Sequence, residues 1–84
     1  MTTIKKNIKN RLFSFSVIYE SAPEGGYVAF APVLPGCHTQ GDTLEEAEEN
    51  IKESISLYLE SLIASKIMPP RESRILQGKV EVAI

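Results

Sequence analysis

Hydrophobic and polar positions alternate near the start of the chain. Over residues 12–20 one face of an extended chain would carry Phe13, Phe15, Val17 and Tyr19, and the other Ser14, Ser16, Ile18 and Glu20. A period of two with aromatic and β-branched residues predicts a strand. The turn residues Ser-Ala-Pro-Glu-Gly-Gly follow, and residues 27–31 resume an extended apolar pattern. Residues 12–31 therefore predict a β-hairpin.

A short third strand and a long helix are predicted next. Proline cannot donate to a strand ladder, so Pro32 and Pro35 end the second strand and residues 37–40 predict the third. Thr43 is a predicted N-cap, and Glu46, three residues later, completes a capping box. Apolar residues then recur at steps of three and four and form one stripe: Leu44, Ala47, Ile51, Ile55, Tyr58, Leu59, Leu62 and Ile63. The helix is expected to stop near residues 65–66, before two consecutive prolines.

The last residues of the chain complete a fold prediction. Residues 79–84 (KVEVAI) alternate again, with Val80, Val82 and Ile84 on one side, and predict a fourth strand. The order β-β-β-α-β indicates an α+β fold of two layers, a small sheet with one long helix packed on one face. Because one helix leaves the other sheet face open, we expect a homodimer or a higher homo-oligomer. Residues 12–84 form a single domain in this interpretation, preceded by a flexible basic arm at residues 1–11.

Length and charge narrow the classes of function. A chain of 84 residues has room for one small domain, which excludes large enzyme scaffolds. The net charge of −2 hides an uneven distribution, because residues 42–65 carry seven acidic residues and only Lys52, a formal −6. An acidic segment between basic ends favours a basic partner, although a solvated helix face gives the same pattern.

The residues offer little for catalysis. Cys37 is the single cysteine, so the chain has neither an internal disulfide nor a cysteine set for zinc. Cys37 and His38 are neighbours, and in an extended chain they point to opposite faces rather than forming a catalytic pair. We expect no enzyme activity, no catalytic residue, no metal and no cofactor. The apolar runs are shorter than a membrane span or a signal peptide, which favours a cytoplasmic protein.

Nucleic-acid binding is the main alternative from the residues alone. The arm carries four basic residues and no acid, and these side chains could contact phosphates weakly: Lys5, Lys6, Lys9 and Arg11. The acidic helix opposes such contact, and the residues after Pro70 are too few for a helix-turn-helix. A vestigial nuclease that uses Asp42 is a further alternative, but acidic residues that converge from several strands are not evident.

The middle of the chain resembles a known family. Residues 25–32 (GGYVAFAP) and 34–47 (LPGCHTQGDTLEEA) are similar to the hallmark of HicB-type antitoxins, and the resemblance extends over about residues 13–84. The combination of LPGC, the glycine at position 41 and the TLEEA helix start is more specific than any one of these motifs. Val33 departs from the pattern, since relatives often have an acidic residue there.

The resemblance implies a partial RNase H-like fold that is catalytically inert. Members typically neutralise a small, basic, RNA-cleaving toxin of the HicA type by covering its active site. Many also append a DNA-binding domain, which we expect this chain to lack, so binding to an operator is doubtful. The resemblance and the acidic charge together predict a toxin-binding set, with Tyr27 as its aromatic anchor: Glu20, Glu24, Tyr27, Asp42, Glu45, Glu46 and Glu49. The alternative is an orphan oligomeric domain with weak nucleic-acid binding or vestigial nuclease activity.

Overall fold

A small antiparallel sheet and one long helix make up the regular structure of residues 12–84. The computed structural model describes residues 12–84. Its elements in chain order are β1 (Ile18–Ser21), β2 (Tyr27–Phe30), β3 (His38–Gly41) and α1 (Leu44–Ala64). The strands lie in the order β1-β2-β3, and α1 packs against β3 and, less extensively, against β2. The predicted α+β fold is confirmed as a three-stranded sheet followed by one long helix within the described residues.

The register of the sheet decides which residues face the helix. Tyr19 pairs with Ala29, and Ala29 pairs with Thr39, so these three residues share the face on which α1 packs. Ile18 pairs with Phe30, and Phe30 with His38, and these residues lie on the opposite face. We call this second face the open face, because α1 packs on the other side of the sheet.

Small residues bring the helix close to the sheet. One buried cluster consists of Ala29, Ala47 and Ile51, with Val17, Tyr27 and Ile55 packed against it. A second consists of Ala31, Leu34 and Cys37, with Phe15, Ile55 and Tyr58 packed against it. Both clusters combine residues from the strands and their loops with residues of the apolar stripe of α1. The stripe residues involved are Ala47, Ile51, Ile55 and Tyr58. Leu44, at the first turn, is 44% exposed and lies outside this core.

The connection between β2 and β3 folds as two successive turns. The Leu34 N–H donates to the Ala31 carbonyl (3.1 Å), and the Cys37 N–H donates to the Leu34 carbonyl (3.0 Å). The Ala31 N–H in turn donates to the Cys37 carbonyl (3.0 Å) and closes the loop. Gly36 has φ 86°, a left-handed conformation that glycine adopts without steric cost. The LPGC motif thus buries Leu34 and Cys37 beneath a short loop.

The two ends of α1 agree with the sequence prediction. Thr43 is the N-cap, and its hydroxyl oxygen accepts from the Glu46 N–H at 3.1 Å. At the other end the Ile67 N–H donates to the Leu62 carbonyl (2.8 Å) and the Lys66 N–H to the Ile63 carbonyl (2.9 Å). This pair of bonds is a Schellman motif, in which Lys66 has φ 61°.

Three strand predictions need correction. Residues 12–17 are not in a strand, because β1 begins at Ile18, which pairs with Phe30, the last residue of β2. The third strand begins at His38 rather than at Cys37, whose carbonyl closes the preceding loop. The fourth strand over residues 79–84 is wrong for the single chain, since those residues form no strand and are exposed. The predicted arm at residues 1–11 lies outside the described residues.

Candidate functional site

Acidic side chains gather at the end of the sheet where α1 begins. Ser21 pairs with Tyr27, and Tyr27 pairs with Gly41, so the β1–β2 turn and the loop that precedes α1 lie at the same end. The backbones are close, because a Cβ added to Gly26 would lie only 2.6 Å from the Gly41 carbonyl oxygen. The exposed carboxylates carried by this turn, the loop and the first turns of α1 define the acidic end: Glu24, Asp42, Glu45, Glu46 and Glu49.

Two of these residues are tied to each other by the helix cap. The Asp42 N–H donates to Glu46 Oε1 at 2.5 Å, so the Glu46 carboxylate is turned back onto the backbone. In the predicted capping box this carboxylate would accept from the N-cap residue itself, whereas here it accepts from the residue before it. Glu45 also lies in the first turn, where the helix dipole favours negative charge. The acidic end is therefore held by the same interactions that start the helix.

The other two predicted toxin-binding residues have different surroundings. Glu20 pairs with Val28 and shares the open face with Gln40, so it is on the side of the sheet away from α1. Tyr27 pairs with Gly41 at the acidic end, but its side chain is half-buried and packs against the cluster of Ala29, Ala47 and Ile51. Five of the seven residues thus lie on the turn, the loop and the helix start at this end, whereas Tyr27 packs against the core and Glu20 lies on the open face. The four basic arm residues, Lys5, Lys6, Lys9 and Arg11, lie outside the described residues.

A shallow apolar groove lies next to the open face. It has a volume of about 480 Å³ and runs between β2 and the loop before β3. Val28 and Phe30 line it from the sheet, and Pro32 and Pro35 from the loop. His38 also lines this groove, in which it is exposed. The open face therefore offers an apolar surface beside the carboxylate of Glu20.

One tyrosine close to the helix has a perturbed hydroxyl. The pKa of Tyr19 is raised above its ordinary value, first because partial burial disfavours the charged phenolate and second because the Glu48 carboxylate repels it. Tyr19 shares the helix-facing side of the sheet with Ala29, which explains its proximity to α1. Glu48 is therefore close enough to Tyr19 to influence the titration of its hydroxyl.

Two polar contacts position the elements and were not predicted from the sequence. The Asn50 side-chain amide donates to the Gln40 carbonyl at 2.8 Å and links α1 to β3. Glu72 accepts from the Ser16 N–H at 2.6 Å, and its second carboxylate oxygen accepts from the Ser16 hydroxyl. Asn50 gives a weak sequence signal for its contact: asparagine is a poor helix former, so its presence within α1 suggests a specific role but does not identify the partner. Nothing in the sequence indicates the contact between Ser16 and Glu72, which are 56 positions apart.

Three further features of the described residues concern metal binding, the thiol and membrane crossing. Within residues 12–84 no group of three or more His, Cys, Asp or Glu side chains is arranged to hold a metal ion. Cys37 is a free thiol and is buried in the second core cluster. In the same part of the chain, no helix combines the length and the apolar character needed to cross a membrane.

Comparisons with known proteins agree on one family. Residues 15–82 match the family described as the HicB-like antitoxin of bacterial toxin–antitoxin systems. UPF0150 protein ssr1765 of Synechocystis is 49% identical over 67 residues, which cover 80% of this chain and 85% of that protein. UPF0150 protein Ta0767 of Thermoplasma acidophilum is 46% identical over 70% of this chain and 86% of its own length. A UPF0150 protein of Helicobacter pylori is 43% identical over 71% of this chain and 83% of its own length.

Proposed function

The chain belongs to the HicB-like antitoxin family of bacterial toxin–antitoxin systems, and on that premise we propose that it binds and masks a small, basic, RNA-cleaving toxin of the HicA type. An antitoxin of this kind acts by occupying a surface and needs no reaction of its own. The proposal therefore describes a binding protein without catalytic residues, which meets its toxin in the cytoplasm.

The observation that carries the proposal is the acidic end. A protein that cleaves RNA presents positive charge to the phosphates of its substrate, and a cluster of carboxylates competes for that surface. Glu24 and Asp42 supply negative charge from the loops, and Glu45 and Glu49 supply it from α1. All four side chains are exposed, so a partner can reach them without any rearrangement of the core.

The remaining predicted residues have supporting roles in this proposal. Glu46 holds the backbone of Asp42 and so fixes the direction in which the acidic end points. Tyr27 packs beneath that end against Ala47 and Ile51 and stabilises the platform. Glu20 extends the negative surface onto the open face, next to the groove lined by Val28 and Phe30.

Charge reversal on α1 tests the proposal. The double variant Glu45→Lys, Glu49→Lys places two positive charges at the acidic end, and we expect the dissociation constant for a HicA-type toxin to rise by at least about tenfold, or about 1.4 kcal/mol. The matched control is Glu60→Lys, because Glu60 is also exposed on α1 but lies in its C-terminal part. Calorimetric titration gives the affinities, and co-expression reports rescue of growth.

The possible results are distinct. Weaker binding and lost rescue for the double variant, with both retained for Glu60→Lys, support the acidic end as the contact surface. Equal weakening by the double variant and by Glu60→Lys would indicate an effect of net charge without a defined surface. If the unaltered chain forms no complex with a HicA-type toxin, the proposed toxin-masking function is wrong.

A further inference from the structure

The C-terminal part of the chain is extended and exposes its apolar side chains. Beyond the Schellman motif, residues 68–84 form neither helix nor strand. Val80 is 87% exposed and Val82 77% exposed, and Ile84 and Leu76 are exposed as well. Exposed apolar residues in such a series mark an interaction surface rather than ordinary surface. We call residues 79–84 the tail strand, because their alternating pattern is that of a strand.

The outer edge of β1 is free to accept such a strand. The Ala22 N–H bonds to the Gly26 carbonyl, and hydrogen-bonded positions alternate along an antiparallel pair. The backbone groups of Ile18 and Glu20 therefore face β2, and those of Tyr19 and Ser21 face away from the sheet. Among the described residues no strand pairs with this side of β1. An unpaired edge of this kind is a ready template for another strand.

The start of the extended region is anchored, and its end is not. Glu72 bonds to the backbone and hydroxyl of Ser16, just before β1, and residues 12–15 and 68–72 line a shared depression of about 400 Å³. Residues 73–84, which follow this anchor, are all exposed. The tail strand is therefore not packed against the rest of its own chain.

We propose that two copies of this chain exchange their tail strands, each adding residues 79–84 as a fourth strand on the free edge of β1 in the other copy. The exchange is reciprocal, so one two-fold axis closes the dimer and leaves neither β1 edge exposed. The exchange also places the apolar side chains of Val80, Val82 and Ile84 together on one face of the partner's sheet. The family match reaches residue 82, so it includes most of the tail strand. This inference does not rest on toxin binding, because the observations behind it are the free edge of β1 and the exposed tail strand.

A pair of neighbouring substitutions tests the exchange. Val82→Asp puts a charge on the apolar side of the tail strand, whereas Ala83→Asp puts the same charge on its other side. By light scattering during size-exclusion chromatography, we expect the unaltered chain and Ala83→Asp to be dimers and Val82→Asp to be a monomer. The helical circular-dichroism signal should be equal in all three, since α1 makes no use of the tail. Amide exchange at Tyr19 and Ser21 should be slow in the dimers and fast in Val82→Asp.

Cross-linking separates exchange from folding back within one chain. In a Cys37→Ala background, Ser21→Cys and Ala83→Cys place thiols on the edge of β1 and on the tail strand. A short bismaleimide should then give a covalent product of two chains, resolved by denaturing electrophoresis. A product of one chain would overturn the proposal, because the tail would then pair with its own β1. A monomeric unaltered chain, or a dimer insensitive to Val82→Asp, would overturn it equally.

Discussion

At the scale of single residues, Gly41 sets the distance between the sheet and the helix. A Cβ at this position would lie 2.5 Å from the Ala47 nitrogen and 2.9 Å from the Glu46 carbonyl carbon, and both are backbone atoms that cannot turn aside. We expect Gly41→Ala to lower the free energy of unfolding by about 1–3 kcal/mol in urea denaturation, since α1 would have to move. Gly78→Ala is the control, because a Cβ there meets nothing within 4 Å. Equal stability of the two variants would contradict this close packing.

Tyr19 gives the chain a predicted dependence on alkaline pH. Burial and the Glu48 carboxylate raise the pKa of its hydroxyl in the folded state. A group with a raised folded pKa contributes its full stability below the unfolded pKa, about 10 for tyrosine, and loses it as pH rises through the folded pKa. The urea midpoint of the unaltered chain should therefore fall above pH ~10 more steeply than that of Tyr19→Phe.

The same titration identifies the role of Glu48. Glu48→Gln removes the repulsion and should lower the pKa of Tyr19. The phenolate absorbance of Tyr19 is the absorbance that disappears when Tyr19→Phe is added, and it is measured against pH both with Glu48 and with Glu48→Gln. Glu60→Gln removes a glutamate charge from the C-terminal part of α1 and should leave that pKa unchanged. An identical Tyr19 titration with and without Glu48 would refute the electrostatic part of this explanation.

At the scale of elements, α1 depends on the middle of its apolar stripe. Ile51 is buried against Ala29 and Ala47, whereas Leu57 is 61% exposed on the same helix. Ile51→Ala empties a packed site and should lower the free energy of unfolding by about 2–5 kcal/mol. Leu57→Ala removes a similar side chain from the surface and should change it by no more than about 0.5 kcal/mol in the same urea series. Comparable losses in both variants would mean that the stripe is wrongly assigned.

Local signals predicted the elements that depend on local interactions. The N-cap at Thr43, the end of α1 and the turn glycines follow from interactions within a few residues, and the sequence prediction agrees with the structure there. The strands were predicted less well, because a strand also needs a neighbour. Residues 12–17 and 79–84 carry the alternating pattern, but neither segment forms a strand in the described part of the chain. An alternating hydrophobic pattern therefore indicates that a segment can form a strand, but whether it does depends on a neighbouring strand with which it can pair.

At the scale of the whole molecule, the charge is concentrated by the fold. The sequence indicates an acidic segment, but it does not show that the β1–β2 turn, which carries Glu24, lies at the same end of the sheet as the start of α1. That arrangement depends on the strand register and on the contact between Gly26 and Gly41, which link residues far apart in the chain. For the same reason the sequence does not show that Glu20 lies on the open face and that Tyr27 packs against the core.

If this chain silences an RNA-cleaving toxin by binding it, the folded chain must inhibit RNA cleavage. The measurement is the rate of RNA cleavage by a HicA-type toxin as the folded chain is titrated into it. We predict that cleavage falls to background as the chain approaches equimolar amounts, and that higher salt weakens the inhibition because acidic side chains carry it. Cleavage that continues unchanged in a large excess of folded chain would contradict the account.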